Sequence, residues 1–136
     1  MGDKSDFFHD FFNNPWIFNT VRDVIDGGQV RFLNKIISSL NINSLLDVGC
    51  GTGGFSTIKV NNYTGIDYNP KFIDFCKEKY GNYKNKKTAF YVMDATNIKL
   101  EEVVDASIII NTIHLISDED VVKILTSMNK ISTRII

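Results

Sequence analysis

The chain has 136 residues, 43% of them hydrophobic and 23% charged, with Gly 9 and Pro 2, a composition that fits one compact folded domain and excludes a disordered, collagenous or fibrous chain. Its 15 basic and 16 acidic side chains leave a net charge of -1 with the signs mixed along the sequence, which argues against a dedicated nucleic-acid or membrane-surface module. Cys50 and Cys76 lack metal-ligand spacing, no stretch approaches the roughly 20 apolar residues of a membrane span, and Met1 to Asp10 lacks the apolar run of a signal peptide, so no metal and no membrane is expected and the expected location is the cytoplasm.

Phe7, Phe8, Phe11 and Phe12 recur at helical spacing and predict a short first helix, which Asn13 and Asn14 end. Asn14 is then an N-cap with Pro15 at the first helical position, and Ile17, Val21, Val24 and Ile25 carry a second helix until Gly27 and Gly28 stop it. A third helix is expected from Gln29 to Leu40, with Val30, Leu33, Ile36, Ile37 and Leu40 on its buried face. From Ser44 onward short apolar runs alternate with helical stretches, the pattern of βαβ units. Strands are expected at Ser44–Val48, Tyr63–Asp67, Thr88–Met93, Ala106–Ile110 and Ser132–Ile136, and their continuous apolar character predicts a parallel sheet buried on both faces. One intervening helix starts at Asn69 and Pro70, buries Phe72, Ile73, Cys76 and Tyr80, and ends at Gly81. Another starts with Ser117 and Asp120 at capping-box spacing and buries Val121, Ile124, Leu125 and Met128. The chain thus divides into an N-terminal helical cover, 1–41, and an α/β core, 42–136, within one compact domain.

The strongest local signal is LLDVGCGTGGF, Leu45 to Phe55, where a buried strand runs into a glycine-dense turn before a short helix. Glycines there let the backbone approach a ligand closely and leave amides at the helix start to receive it. Asp67, at the end of the next expected strand, is placed to accept hydrogen bonds from two ribose hydroxyls, so turn and acid together suggest a nucleotide-containing ligand. Gly49, Gly51 and Gly54 also satisfy the GxGxxG spacing of dinucleotide-binding folds. Against NAD stands Asp47, two residues before the first glycine, where a carboxylate would repel a pyrophosphate but accept hydrogen bonds from an ammonium group. Asp94 ends the third expected strand in VMDATN, and Asn111 follows the fourth in INTIHLI. Parallel strands bring all these ends to one side of the sheet, where open α/β folds bind ligands.

Taken together, these segments resemble the class I S-adenosylmethionine-dependent methyltransferases. LLDVGCGTGG is similar to that family's first motif, GIDYNP to its ribose-binding acidic motif, VMDATN to its adenine-contacting motif and DASIIINTIHLI to its fourth-strand motif. Their order and intervals agree, and the resemblance covers roughly Leu45 to Ile136. It implies a Rossmann-like parallel sheet of about five strands under an N-terminal helical cover. It also implies S-adenosyl-L-methionine as cofactor, with Asp47, Gly49, Gly51 and Gly53 around its methionine part and Asp67 on the ribose hydroxyls. Tyr68 would flank the adenine, Asp94 and Ala95 would meet the adenine edge, and Asn111 would line the sulfonium side. The expected activity is methyl transfer to a nucleophile, on a small molecule rather than a nucleic acid. FFNNPWIFNTVRDVIDGG is similar to the covering helices of small-molecule members.

No catalytic residue is assigned. His114 and His9 are the nominees for a general base, although a polar residue at a strand end is the plainer account of His114. Phe12, Trp16 and Phe18 either shield the transfer pocket or form the apolar face of a helix. Arg22 reads as an exposed helix arginine, Cys50 and Cys76 as small buried residues, and Lys84, Lys86 and Lys87 as a solvated loop. Compared with the family, the chain stops as a fifth strand begins, without the usual antiparallel hairpin. An apolar ISTRII edge with no neighbour invites pairing with a second copy or a partner subunit. Two further readings follow: a cofactor-binding, non-catalytic subunit completed by a partner, and, less favoured, an NAD-binding oxidoreductase domain.

Overall fold

The computed structural model describes residues 14–113 and 116–136, of which 18–26 are described as backbone only. The helix expected on Phe7, Phe8, Phe11 and Phe12 lies outside them. Helix α1 (Pro15–Leu40) begins as the sequence predicts, with Asn14 Oδ1 accepting from the Trp16 amide at 3.0 Å and Pro15 at its start. It does not break at Gly27 and Gly28, so the two helices expected there are one. Neither glycine takes a left-handed φ, and a Cβ added to either would meet nothing within 4 Å. They act as solvent-side helix positions that cost about 1 kcal/mol each against alanine, and the packing of Leu33 and Ile37 carries the helix through. The stop comes at Asn41, in the left-handed region at φ 53°.

Strand β1 (Ser44–Val48) is central, flanked by β2 (Asn62–Asp67) and β4 (Ala106–Ile109), with β3 (Lys87–Val92) outside β2. All pairings are parallel, and the register sets Leu45 opposite Tyr63 and Ala106, and Val48 opposite Ile66 and Ile109. Successive side chains point to opposite faces, so Leu45 joins one core and Leu46 the other. The first core gathers Leu33 and Ile37 of α1, Leu45, Tyr63, Phe90, and Ile73 and Cys76 of α2 (Pro70–Tyr80). The second gathers Leu46, Val48 and Ile66 with Ile124, Met128 and Ile131 of α3 (Asp118–Ile131). Both helices carry the expected caps, Asn69 Oδ1 accepting from the Lys71 amide and Ser117 Oγ from the Asp120 amide. This is the Rossmann-like α/β layering that the sequence predicts, and no described helix is long and apolar enough to cross a membrane.

Among the described residues the sheet has four strands, not five. Residues 132–136 run beside β4 and pair with that edge through two isolated parallel bridges, Val104 with Ser132 and Ser107 with Ile135, while the Ser132 and Ser107 hydroxyls are hydrogen-bonded at 2.7 Å. Competition for hydrogen bonds explains the gap between them. The Asp105 amide donates to Ser44 Oγ at 2.9 Å, and its carboxylate accepts from the Asn43 and Ser44 amides at 2.8 and 2.9 Å, so this residue is tied to the start of β1 rather than to the tail.

Candidate functional site

The carboxyl ends of the four parallel strands share one rim, and the glycine turn rises from its centre. Gly49, Gly51 and Gly53 all take left-handed φ values, 71°, 53° and 75°, a region that costs a side-chain-bearing L-residue about 1–2 kcal/mol. Close packing adds to the requirement. A Cβ on Gly49 would stand 2.7 Å from Thr112 Oγ1, and one on Gly53 would stand 3.0 Å from Cys76 Sγ and 3.1 Å from the Tyr80 ring. The Gly49 and Cys50 amides both donate to the Ile66 carbonyl, at 2.8 and 2.9 Å, locking the turn to the end of β2. The helix expected after it is a single 3-10 turn, Gly54–Thr57.

Asp67 ties the same two strand ends together through its side chain. Its Oδ2 accepts from the Gly51 amide at 3.0 Å and its Oδ1 from the Asn69 amide at 2.9 Å. Only 8% of the residue is exposed. Burial pushes the carboxyl above its ordinary value, while the amides of Asn69, Gly51 and Tyr68 pull the other way. The two oxygens carry about four lone-pair sites between them, so accepting from three amides still leaves the carboxylate one to offer. Tyr68 is 82% exposed beside it. Asp94 ends the segment after β3 and caps the 3-10 turn Ala95–Asn97, with Oδ1 accepting from the Thr96 amide and hydroxyl, both at 2.8 Å; these bonds hold its carboxyl below the ordinary range. Ala95 is half-buried against the second core. Asn111 is exposed at φ 58°, and its Nδ2 donates to Gln29 Oε1 of α1 at 3.4 Å. Asp67, Tyr68, Asp94, Ala95 and Asn111 therefore all follow or end strands along the rim.

Asp47 is placed differently from its neighbours. It is 1% exposed and accepts from the Tyr63 hydroxyl at 2.5 Å, so its carboxylate faces the core beneath the glycine turn. Burial and the Asp47 carboxylate push the Tyr63 phenol well above its ordinary value. Cys50 and Cys76 are free thiols, both buried, and both donate to the Gly51 carbonyl, at 3.8 and 3.3 Å. The neighbouring Cys76 side chain and then burial raise the Cys50 thiol well above its usual range, which makes it unreactive.

Trp16 is 61% exposed and packs edge-on against Phe75 of α2 at 4.8 Å, as part of a helix–helix contact. His9, Phe12, His114 and the side chains of Phe18 and Arg22 lie outside the described residues. Among the described residues no cluster of His, Cys, Asp or Glu has the makings of a metal site.

Three participants escaped sequence reasoning: Tyr63, Thr112 and Lys86. Lys86 is not simply solvated with Lys84 and Lys87. Its Nζ donates to the carbonyls of Ser56 and Ile58 at 2.6 and 2.5 Å, and burial lowers the amine to about 8. The one available signal was the tyrosine hydroxyl in an otherwise apolar strand, since a buried phenol must find an acceptor.

The family model of the Methyltransferase domain matches residues 45–133, which span the glycine turn, Asp67, Asp94 and Asn111. The chain belongs to this family, the class I S-adenosylmethionine-dependent methyltransferases. Solved methyltransferases share the fold. An S-adenosylmethionine-dependent methyltransferase from Clostridium acetobutylicum superposes with a TM-score of 0.71 at 17% identity, over 85% of this chain and 53% of that one. Magnesium protoporphyrin IX methyltransferase from Synechocystis, with bound S-adenosylmethionine, has a TM-score of 0.65 at 19% identity, over 98% of this chain and 74% of that one. In sequence, a 23S rRNA (uracil(747)-C(5))-methyltransferase from Xenorhabdus nematophila is 33% identical over 69 residues, covering 48% of this chain. This methyltransferase-family chain spans only 18% of that relative's length.

Proposed function

We propose that the chain binds S-adenosyl-L-methionine across the rim of its sheet and transfers the methyl group to a nucleophile on a small molecule. One observation carries the reading: the three left-handed glycines are coupled to Asp67 through the Gly51 amide at 3.0 Å, so the turn and the acid form one rigid unit across two adjacent strand ends. The donor set suits the cofactor. The named rim residues are acidic or neutral, with Asp67, Asp94 and Asn111 offering oxygens and Tyr68 an exposed ring. No lysine or arginine stands among them to neutralise a pyrophosphate, which favours a nucleoside sulfonium over NAD.

When bound, this cofactor supplies an electrophilic methyl carbon, whose bond to sulfur breaks as the acceptor's bond to carbon forms. The chain's own task is placement. Gly49, Gly51 and Gly53 let the backbone lie close to the methionine part, and Asp47 supports them from below through Tyr63. Asp67 takes the ribose hydroxyls beside the amides it already accepts, Tyr68 covers the adenine face, and Asp94 and Ala95 meet the adenine edge. Asn111, held by Gln29, lines the sulfonium side. Such in-line transfer depends on orientation and exclusion of water, without a protein nucleophile.

A small acceptor is supported by the net charge of -1 with signs mixed, and the proposal takes 1–41 as a helical cover and 42–136 as the cofactor-binding core of one domain, with Leu33 and Ile37 of α1 packed into the first core. The edge at 132–136 suits pairing with a second copy or a partner subunit, and a cytoplasmic location completes the proposal. Isothermal titration of wild type and Asp67→Ala with S-adenosylmethionine, S-adenosylhomocysteine and NAD tests it. The first two should bind wild type and lose at least about tenfold in the variant. Preference for NAD, or equal affinity in the variant, overturns the assignment. Cofactor binding without methyl transfer to any acceptor in a small-molecule panel points instead to a non-catalytic subunit.

A further inference from the structure

The 3-10 turn Gly54–Thr57 has four residues, too few for a regular helical ladder to hold the exit of the glycine turn. Two of its internal bonds, from the Ser56 amide and hydroxyl to the Gly53 carbonyl at 3.0 and 2.6 Å, tighten its start. The carbonyls at its far end point to Lys86, brought in from the loop before β3. Lys86 Nζ donates to Ser56 at 2.6 Å and to Ile58 at 2.5 Å, and it lies 5.1 Å from the centroid of the Tyr63 ring. That ring's hydroxyl donates to Asp47, two residues before Gly49. Ammonium, ring and carboxylate thus link the end of the turn back to the strand that launches it.

We propose that Lys86 is a positioning residue for the cofactor site, clamping the Ser56 and Ile58 carbonyls so that the shortened turn keeps the glycine backbone in its binding shape. The inference rests on the cofactor site proposed above. A lysine serving only solubility would keep its ammonium in water. Here desolvation is accepted, lowering the amine from 10.5 to about 8, in exchange for two carbonyls and an aromatic face. The groups linked to it from the packed elements are the Tyr63 phenol of β2, the Asp47 carboxylate of β1 behind it, and the Cys50 thiol of the turn, which interacts with Tyr63. Tyr63 and Cys50 are both pushed well upward and stay protonated, so Lys86 is the group among these that loses its charge near pH 8.

The test uses S-adenosylhomocysteine titrations of wild type, Lys86→Met and Lys86→Arg, with hydrogen exchange of the amides of residues 53–58 measured without cofactor. The methionine variant should bind about tenfold more weakly, and the arginine variant, which keeps a charge and donors for the two carbonyls, should bind more tightly than the methionine variant. Wild-type affinity should fall between about pH 7 and about pH 9 while that of the methionine variant stays flat. Exchange at 53–58 should quicken in Lys86→Met with the β1–β4 amides unchanged. Methionine-variant affinity within about twofold of wild type, or a flat wild-type pH profile, overturns the proposal. If wild type binds no S-adenosylhomocysteine, the cofactor-site reading fails by itself, and unchanged exchange at 53–58 then separately refutes the clamp.

Discussion

Alanine at Gly49 puts the glycine turn under the most specific strain. At φ 71° the residue sits where a Cβ costs about 1–2 kcal/mol. The new atom would also stand 2.7 Å from Thr112 Oγ1 and 3.0 Å from Thr112 Cγ2. Thr112 cannot turn aside without loss, because its hydroxyl donates to the Ile110 carbonyl at 3.1 Å. Overpacking of this kind costs about 1–3 kcal/mol, so the substitution should remove about 2–5 kcal/mol in all. That is a large share of the roughly 5–15 kcal/mol that holds a domain together. The two contributions can be separated. Thr112→Ala removes Oγ1 and Cγ2 and leaves its Cβ at 3.4 Å, an ordinary contact. In that background Gly49→Ala should cost only the backbone share, about 1–2 kcal/mol. Urea unfolding of wild type, both single variants and the double variant closes the cycle, with an expected coupling of about 1–3 kcal/mol. A coupling below about 0.5 kcal/mol, or a total cost for Gly49→Ala below about 1 kcal/mol, would refute the reasoning.

Three further outcomes follow from the same geometry. Gly27→Ala and Gly28→Ala, where an added Cβ meets nothing within 4 Å, should each stabilise the chain by about 0.4–1 kcal/mol; a lowered melting temperature would show that α1 needs those glycines. Tyr63→Phe keeps the ring beside Phe90 at 5.8 Å but strips a donor from the buried Asp47 carboxylate, and should cost about 1.5–3 kcal/mol in urea unfolding; an unchanged midpoint contradicts this. Burial holds the folded Asp67 carboxyl above its unfolded value, so the stability it contributes is full below the unfolded value and is lost as pH rises through the folded one. Asp67→Asn, which cannot ionise, should therefore close on wild type in urea midpoint between about pH 4 and about pH 7; a gap that widens over that range would disprove the sign.

The sequence by itself determined what local physics decides. Asn14 with Pro15, Asn69 with Pro70, and Ser117 with Asp120 marked helix starts, because a cap satisfies amides within two or three residues of itself. The four paired strands were legible from their apolar runs, and the turn at Gly49, Gly51 and Gly53 with Asp67 was legible because left-handed backbone favours glycine and strand order repeats along the chain. Only the tertiary structure decided features that depend on competition between distant partners. Gly27 and Gly28 look like a stop, yet Leu33 and Ile37 gain enough from burial in the first core to carry α1 through them. Residues 132–136 look like a strand, yet Asp105 is held by Asn43 and Ser44, 62 and 61 positions away in sequence, and the ladder fails there. Lys86 looks solvated until folding brings it to carbonyls 28 and 30 residues away. Periodicity and capping report on a residue's near neighbours. Which groups a hydrogen bond or an ammonium finally meets is fixed only when the packed sheet brings remote segments into contact.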